Sequence, residues 1–122
     1  MRFTQDRPSG THIIRSYGDG EFRIDDRSIR GGVIVSATEI LVEPEMRGLA
    51  DLTPSHAARV LAMNPEVVLL GTGARQQFPA PTFGARFLGM RVGFEVMDSG
   101  AACRTFNVLV AEQRRAVAIL LP

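Results

Sequence analysis

Short apolar runs alternate with segments of helical periodicity through the second half of the chain, and this alternation restricts the fold more than any other feature. Three runs have the composition and length of strands: VVLL at residues 67–70, VGFEV at 92–96 and AVAILL at 116–121. Repeated strand–helix–strand units place neighbouring strands in parallel, joined by right-handed crossovers. This half of the chain therefore predicts an α/β fold.

Three helices are predicted among these strands. The first begins with Thr53 as N-cap and Pro54 at the first helical position, and Asn64-Pro65 ends it. The third extends from about Gly100 to Gln113 and has an apolar stripe. Residues of the second helix that share one apolar face are Phe83, Phe87 and Leu88.

The first half of the chain is β-like. Residues 12–17 and 21–25 flank Gly18-Asp19-Gly20, which predicts a hairpin, and residues 29–34 and 39–42 are further predicted strands. Gly31-Gly32 inside this region predicts a bulge or a close approach of backbone. The whole chain, residues 1–122, is thus predicted to be a single α/β domain with a mixed sheet in three layers, preceded by a loosely ordered arm at residues 1–10.

Composition excludes several classes of function. The net charge of +1 argues against nucleic acid as a partner. One cysteine forms no intramolecular disulfide, which fits a reducing compartment. The longest apolar run, 116–121, is too short for membrane insertion, and residues 1–20 resemble neither a secretory signal nor a mitochondrial presequence. We therefore expect a cytoplasmic protein.

The segment MDSGAACRTFN at residues 97–107 predicts a turn from strand to helix. Asp98 or Ser99 is the expected N-cap, because a short side-chain oxygen there accepts a hydrogen bond from a free backbone N–H. The helix dipole makes such a turn electropositive, and both Cys103 and Arg104 lie close behind it.

A second turn, Gly71-Thr72-Gly73, follows the preceding strand. Turns at the carboxyl ends of parallel strands meet at one edge of a sheet, so the two turns are expected to line one concavity. Gly71–Gly73 lacks the lysine of a Walker A motif and the third glycine of a dinucleotide fingerprint. The candidate residues for binding a ligand or a partner are Gly71, Thr72, Gly73, Asp98, Ser99, Cys103 and Arg104.

No catalytic residues, metal ligands or cofactors are predicted. A nucleophilic cysteine needs a base within hydrogen-bonding reach, and the two histidines, His12 and His56, lie in other predicted elements. One cysteine and two separated histidines do not form a zinc site. Cys103 lies three residues before the core-facing Phe106, so we expect it to be buried in packing, not activated.

Several motifs carry a resemblance to a known family. They are YGxGxF at 17–22, VLLGTG at 68–73, EVMDSGAACRTFN at 95–107, and an ending from ExRR at 112–115 to LLP at 120–122. The chain resembles the family of small uncharacterised bacterial and archaeal domains that also includes the mitochondrial respiratory complex I assembly factor 3. It departs from the usual pattern at Gly32, where serine is common, and at Gln113, where glycine is common.

The resemblance implies a single α/β domain with a mixed sheet and implies no established reaction, since the mitochondrial member is an assembly factor and not an enzyme. Two classes of function stay open. The first is a non-enzymatic protein-binding or assembly module, without a membrane-inserted part, in a bacterial cytoplasm. The second is a small-molecule or anion-binding protein that uses a crevice between the 71–73 and 98–103 loops.

Overall fold

The computed structural model describes residues 10–122, so the arm predicted at residues 1–10 lies outside the described residues except for Gly10. Within them the chain forms eight β-strands, three α-helices and a short 3-10 helix at Leu49–Asp51. In chain order the strands and α-helices are β1 (Ile14–Gly18), β2 (Glu21–Ile24), β3 (Arg27–Arg30), β4 (Gly32–Ser36), β5 (Ile40–Glu43), α1 (Pro54–Leu61), β6 (Val67–Thr72), α2 (Pro81–Leu88), β7 (Gly93–Met97), α3 (Ser99–Ala111) and β8 (Ala116–Leu121).

A five-stranded mixed sheet forms the middle of the molecule, with strand order β5-β4-β8-β6-β7. β6 pairs in parallel with β7 on one side and with β8 on the other. β4 is antiparallel to both β8 and β5. The parallel strands come from the strand–helix–strand half of the chain and the antiparallel ones from the first half, as the sequence predicted.

Both faces of this sheet are covered, which gives three layers. One core contains Phe106 of α3 and Phe22 of β2, packed on side chains such as Leu69. The opposite core contains Phe87 of α2 and Val60 of α1. The predicted fold class, a single α/β domain with a mixed sheet in three layers, is confirmed. Among the α-helices that residues 10–122 form, none has the length and apolar character needed to span a bilayer.

The first half of the chain differs from its predicted strands at Gly31. Residues 29–34 are not one region of strand: β3 belongs to a separate three-stranded antiparallel sheet with β1 and β2, and β4 enters the central sheet. Gly31 has φ +95°, a left-handed conformation that favours glycine and turns the chain from one sheet to the other. The predicted close approach is at Gly32, where an added Cβ would lie 2.4 Å from the Met46 carbonyl oxygen.

The helix starts follow the predicted capping. Thr53 caps α1, since its side chain accepts a hydrogen bond from the His56 N–H. Asp98, not Ser99, caps α3 and accepts from the Ala101 N–H at 2.9 Å. The shared face predicted for α2 is wrong in one residue: Phe83 and Phe87 are buried, but Leu88 is 60% exposed.

Candidate functional site

The two predicted turns lie side by side at the carboxyl edge of the parallel strands. Gly71 at the end of β6 is in register with Met97 at the end of β7. Two hydrogen bonds of 2.8 Å join the turns: the Ser99 N–H donates to the Gly73 carbonyl, and the Gly73 N–H donates to Ser99 Oγ. Ser99 Oγ in turn donates to the Leu121 carbonyl at 2.6 Å. One buried hydroxyl thus connects the ends of β6 and β8 to the start of α3.

Direct packing fills the space between the turns at this point. A Cβ added to Gly71 would lie 2.9 Å from both Cα and Oγ of Ser99. Ser99, Gly71 and Thr72 are buried. The Thr72 hydroxyl donates to the Arg75 carbonyl at 2.6 Å, lies 3.2 Å from the Met97 carbonyl, and accepts from the Gln77 N–H. Four of the seven candidate residues therefore hold the turns together, and their role in binding stays a prediction.

An open groove lies on the other side of the first turns of α3, against β1. It has a volume of about 360 Å³ and is lined by the candidate residues Cys103 and Arg104 together with Gly100, Arg15 and Tyr17 among others. Asn107 fixes the floor of this groove, because its amide accepts from the Ile14 N–H at 2.9 Å and donates to the Ile14 carbonyl at 2.7 Å. The structure thus brings Cys103 and Arg104 together with β1, which no sequence motif indicated.

Burial governs the chemistry of Cys103. Cys103 is 5% exposed, which confirms the predicted burial. Burial raises the pKa of the Cys103 thiol to about 12; the positive charge of Arg104 opposes this rise, and the carboxylate of Asp98 adds to it. Burial also raises the pKa of Tyr17, with smaller contributions from Cys103 and Asp98. At neutral pH the groove therefore presents a thiol and a phenol, not a thiolate.

A cluster of ionisable side chains that the sequence did not predict joins α1 to the end of β5. His56 Nε2 lies 2.9 Å from an Oε2 of Glu45 and 3.4 Å from Oε1 of Glu43. Arg59 Nη1 lies 2.7 Å from the same Glu43 oxygen. The pKa of Glu45 lies below its ordinary value, mainly because its carboxylate accepts a hydrogen bond from His56.

The hydrogen bonds of His56 define its tautomer. The Thr53 N–H is only a donor and points at His56 Nδ1 at 3.0 Å, so Nδ1 is the acceptor and Nε2 carries the proton. Donor atoms of Glu43, Glu45 and His56 lie within 4.8 Å of one another. A metal ion there would need to displace the Nε2 proton and compete with Arg59 for Glu43. The arrangement fits an ion-pair network that fastens α1 to the sheet.

The exposed apolar surface next to α2 was also missed by sequence reasoning. A groove of about 420 Å³ runs between α2 and β7, lined by Phe78, Gly84, Leu88, Phe94 and Val96 among others. Phe78 is 72% exposed and Leu88 is 60% exposed. The sequence of α2 carried little local signal for this groove, because Gly84 has no side chain and the exposure of Leu88 depends on which elements pack beside it.

Comparison with known proteins identifies the family. A family model described as a protein of unknown function, DUF498/DUF598, matches residues 14–121. The chain belongs to this family. It is 35% identical to a Bordetella parapertussis protein of known crystal structure, with a TM-score of 0.85 over 94% of this chain and 99% of that one.

Two relatives carry descriptive names. A Francisella tularensis protein named 13 kDa major membrane protein is 27% identical over 99% of both chains. The Danio rerio protein named NADH dehydrogenase (ubiquinone) 1 alpha subcomplex assembly factor 3 is 30% identical over 97% of this chain and 68% of its own length. The DUF498/DUF598 family therefore includes complex I assembly factors, as the sequence resemblance implied.

Proposed function

We propose that this member of the DUF498/DUF598 family is a non-enzymatic protein-binding module with an assembly-factor-like role. The observation that carries the proposal is the apolar groove between α2 and β7, where Phe78 and Leu88 are largely exposed. Contiguous exposed apolar surface on a globular protein marks interaction sites. Relatives named as assembly factors support the same conclusion.

The chemistry of the candidate nucleophiles supports a non-enzymatic role. The Ser99 hydroxyl is committed to Gly73 and Leu121. Cys103 is buried with a raised pKa, and His56 uses both ring nitrogens in the network with Thr53 and Glu45. A nucleophile and its base must lie within hydrogen-bonding reach of each other, whereas Ser99 and Cys103 are on α3 and His56 is on α1, which packs on the opposite face of the central sheet.

We propose the bacterial cytoplasm as the location, because a single cysteine forms no intramolecular disulfide, which fits a reducing compartment. The Francisella relative is named a membrane protein, so the alternative to this proposal is that the chain associates with membranes. Fractionation of cells that express the chain at its natural level tests this proposal. Recovery with washed membranes would overturn it.

Site-specific photo-crosslinking in the protein's own cells tests the proposed function. The chain contains no lysine, so amine-directed reagents are unsuitable and a benzophenone amino acid replaces Phe78. The matched control carries it at Val108, which is 55% exposed on α3 and away from the groove. We expect one protein to crosslink from position 78 and not from 108. No crosslinked protein, or the same products from both positions, would contradict the proposal.

The groove between β1 and α3 favours a second candidate function, an anion-binding site. Arg15 and Arg104 both line it, beside the phenol of Tyr17. Thermal-shift screening with inorganic phosphate, nucleotides and phosphorylated metabolites tests it, because a ligand at about 100 times its dissociation constant adds roughly 2.7 kcal/mol of stability. The shift should disappear in Arg104→Gln and persist in Arg91→Gln; a ligand that stabilises all three proteins equally binds elsewhere.

A further inference from the structure

β7 leaves one side of its backbone unpaired at the edge of the central sheet. The Gly93 N–H donates a hydrogen bond to the Glu66 carbonyl, so the backbone groups of Gly93 point towards β6. Successive residues of a strand point their N–H and C=O groups to opposite sides, so those of Phe94 and Val96 point away from β6. The outward Val96 carbonyl accepts from Gln76 Nε2 at 3.0 Å. Within residues 10–122, the Phe94 N–H, the Phe94 carbonyl and the Val96 N–H have no such partner.

The apolar groove opens directly beside this free edge. Phe94 and Val96 are in register with Val68 and Leu70, which belong to the core under α1 and α2. Their side chains therefore lie on the α2 side, where they line the groove with Leu88. A strand added to β7 would lie about 4.8 Å away, with every second side chain directed into this groove.

The segment of the chain that carries most of the groove has charge of one sign. Residues 67–94 contain three arginines, Arg75, Arg86 and Arg91, and no acidic residue. All three are exposed, and none of their guanidinium groups forms an ion pair or hydrogen bond with another residue in the described part of the chain. Glu95 lies on the opposite face of β7, in register with Leu69 of the α3-side core. Electrostatic complementarity therefore favours an acidic occupant.

The same features argue against a second copy of the chain and against a membrane. A second copy would bring three more arginines of the same segment, residues 67–94, towards the first three. Pairing β7 with itself so that Phe94 faces Val96 would also place Glu95 opposite Glu95. A lipid tail cannot satisfy the outward N–H and C=O groups of β7, and open sheet edges do not enter hydrocarbon. An extended polypeptide satisfies both the backbone groups and the groove.

We propose that an extended segment of a partner protein, apolar at its centre and acidic at its ends, adds to the free edge of β7 and inserts a side chain into the groove beside α2. This inference rests on the proposed function, since it names the chemistry of the partner and its mode of binding to the same surface.

The test begins with an unbiased phage library of random dodecapeptides selected against the full chain. We expect enriched sequences with apolar residues at alternate positions and Asp or Glu at the ends. The best synthetic peptide, followed by fluorescence anisotropy, should bind Leu88→Gln about tenfold more weakly, as expected for an anchoring contact. Met90→Gln is the matched control, because Met90 is 64% exposed but does not line the groove. Its affinity should change less than about twofold, since contacts outside the anchor pocket contribute little.

Two further measurements separate strand addition from other binding. N-methylation of a central peptide residue removes one backbone donor and should reduce binding about tenfold if strand pairing holds the peptide. Affinity should also fall with added salt, and less steeply for the Arg75→Gln/Arg86→Gln/Arg91→Gln protein. Leu88 is exposed, so its variant should melt at the wild-type temperature.

Several outcomes would overturn the proposal. The selection could enrich no peptide, or the selected peptides could bind the wild-type protein and Leu88→Gln with equal affinity. The chain could instead form a dimer in sedimentation that depends on Leu88. It could also bind phosphatidylserine vesicles through Leu88 while binding no peptide. Crosslinking of a partner at Phe78 together with no enriched peptide would leave the proposed function standing and refute strand addition alone. Failure of both experiments refutes both.

Discussion

Replacing Ser99 by alanine should cost a large part of the stability of this fold. The hydroxyl is fully buried, accepts from the Gly73 N–H at 2.8 Å and donates to the Leu121 carbonyl at 2.6 Å. Alanine has nearly the same volume, so the main effect is that two buried backbone groups lose their partner. Each such group costs about 1–3 kcal/mol when it is left unsatisfied.

The expected loss in the free energy of unfolding is therefore about 2–6 kcal/mol, set against a total of roughly 5–15 kcal/mol for a domain of this kind. The higher helix propensity of alanine recovers no more than about 0.5 kcal/mol. Urea unfolding followed by circular dichroism measures the change, which should appear in the midpoint with the slope unchanged.

Ser55→Ala is the matched control, because Ser55 is exposed in the first turn of α1. Its unfolding free energy should change by less than about 0.5 kcal/mol, as for surface positions in general. If Ser99→Ala also stays within this range, Ser99 does not hold the turns together, and its hydroxyl becomes available as a functional group.

Three other predictions concern packing and charge. Cys103, with its pKa raised to about 12, should react with iodoacetamide at neutral pH at a small fraction of its rate in urea; equal rates would contradict its burial. Gly32→Ala, whose Cβ would lie 2.4 Å from the Met46 carbonyl, should lower the unfolding free energy by about 1–3 kcal/mol or more, whereas Gly48→Ala meets no atom within 4 Å and should change it little. Hydrogen bonds from the backbone N–H of Arg115 and the side chain of Arg114 hold the pKa of Glu66 below its ordinary value of 4.5. The pKa of Glu66 is lower in the folded than in the unfolded protein, so Glu66 contributes to stability above pH 4.5 and this contribution is lost as the pH falls through the folded pKa. The free energy of unfolding of Glu66→Gln should therefore depend less on pH in that acidic range.

Local patterns in the sequence were sufficient for most of the secondary structure. Thr53 was identifiable as a cap, and the cap of α3 was limited to Asp98 or Ser99, because an N-cap bonds to an N–H only two or three residues away. The run at β6 indicated a strand buried on both faces, and all six residues are buried. The burial of Cys103 followed from its spacing to Phe106 on one helix.

Features that depend on distant segments were not predictable in this way. Leu88 continues the apolar spacing of α2, yet it is exposed, since the sheet under α2 ends at β7 and no other element of residues 10–122 covers that face. The network of His56 with Glu45 joins residues that belong to different predicted elements. Neither segment alone carries a signal for the other.

The sequence by itself determined the alternation of strands and helices, the starts of α1 and α3 and the identity of the two glycine turns, because these depend on bonds and periodicities within a few residues. Only the tertiary structure decided that Gly31 divides residues 29–34 between two sheets, that Ser99 fills the space between the turns, and that the open grooves lie beside α2 and β1. Where a surface stays open depends on which elements pack over it, and that packing is set by contacts between residues far apart in the chain.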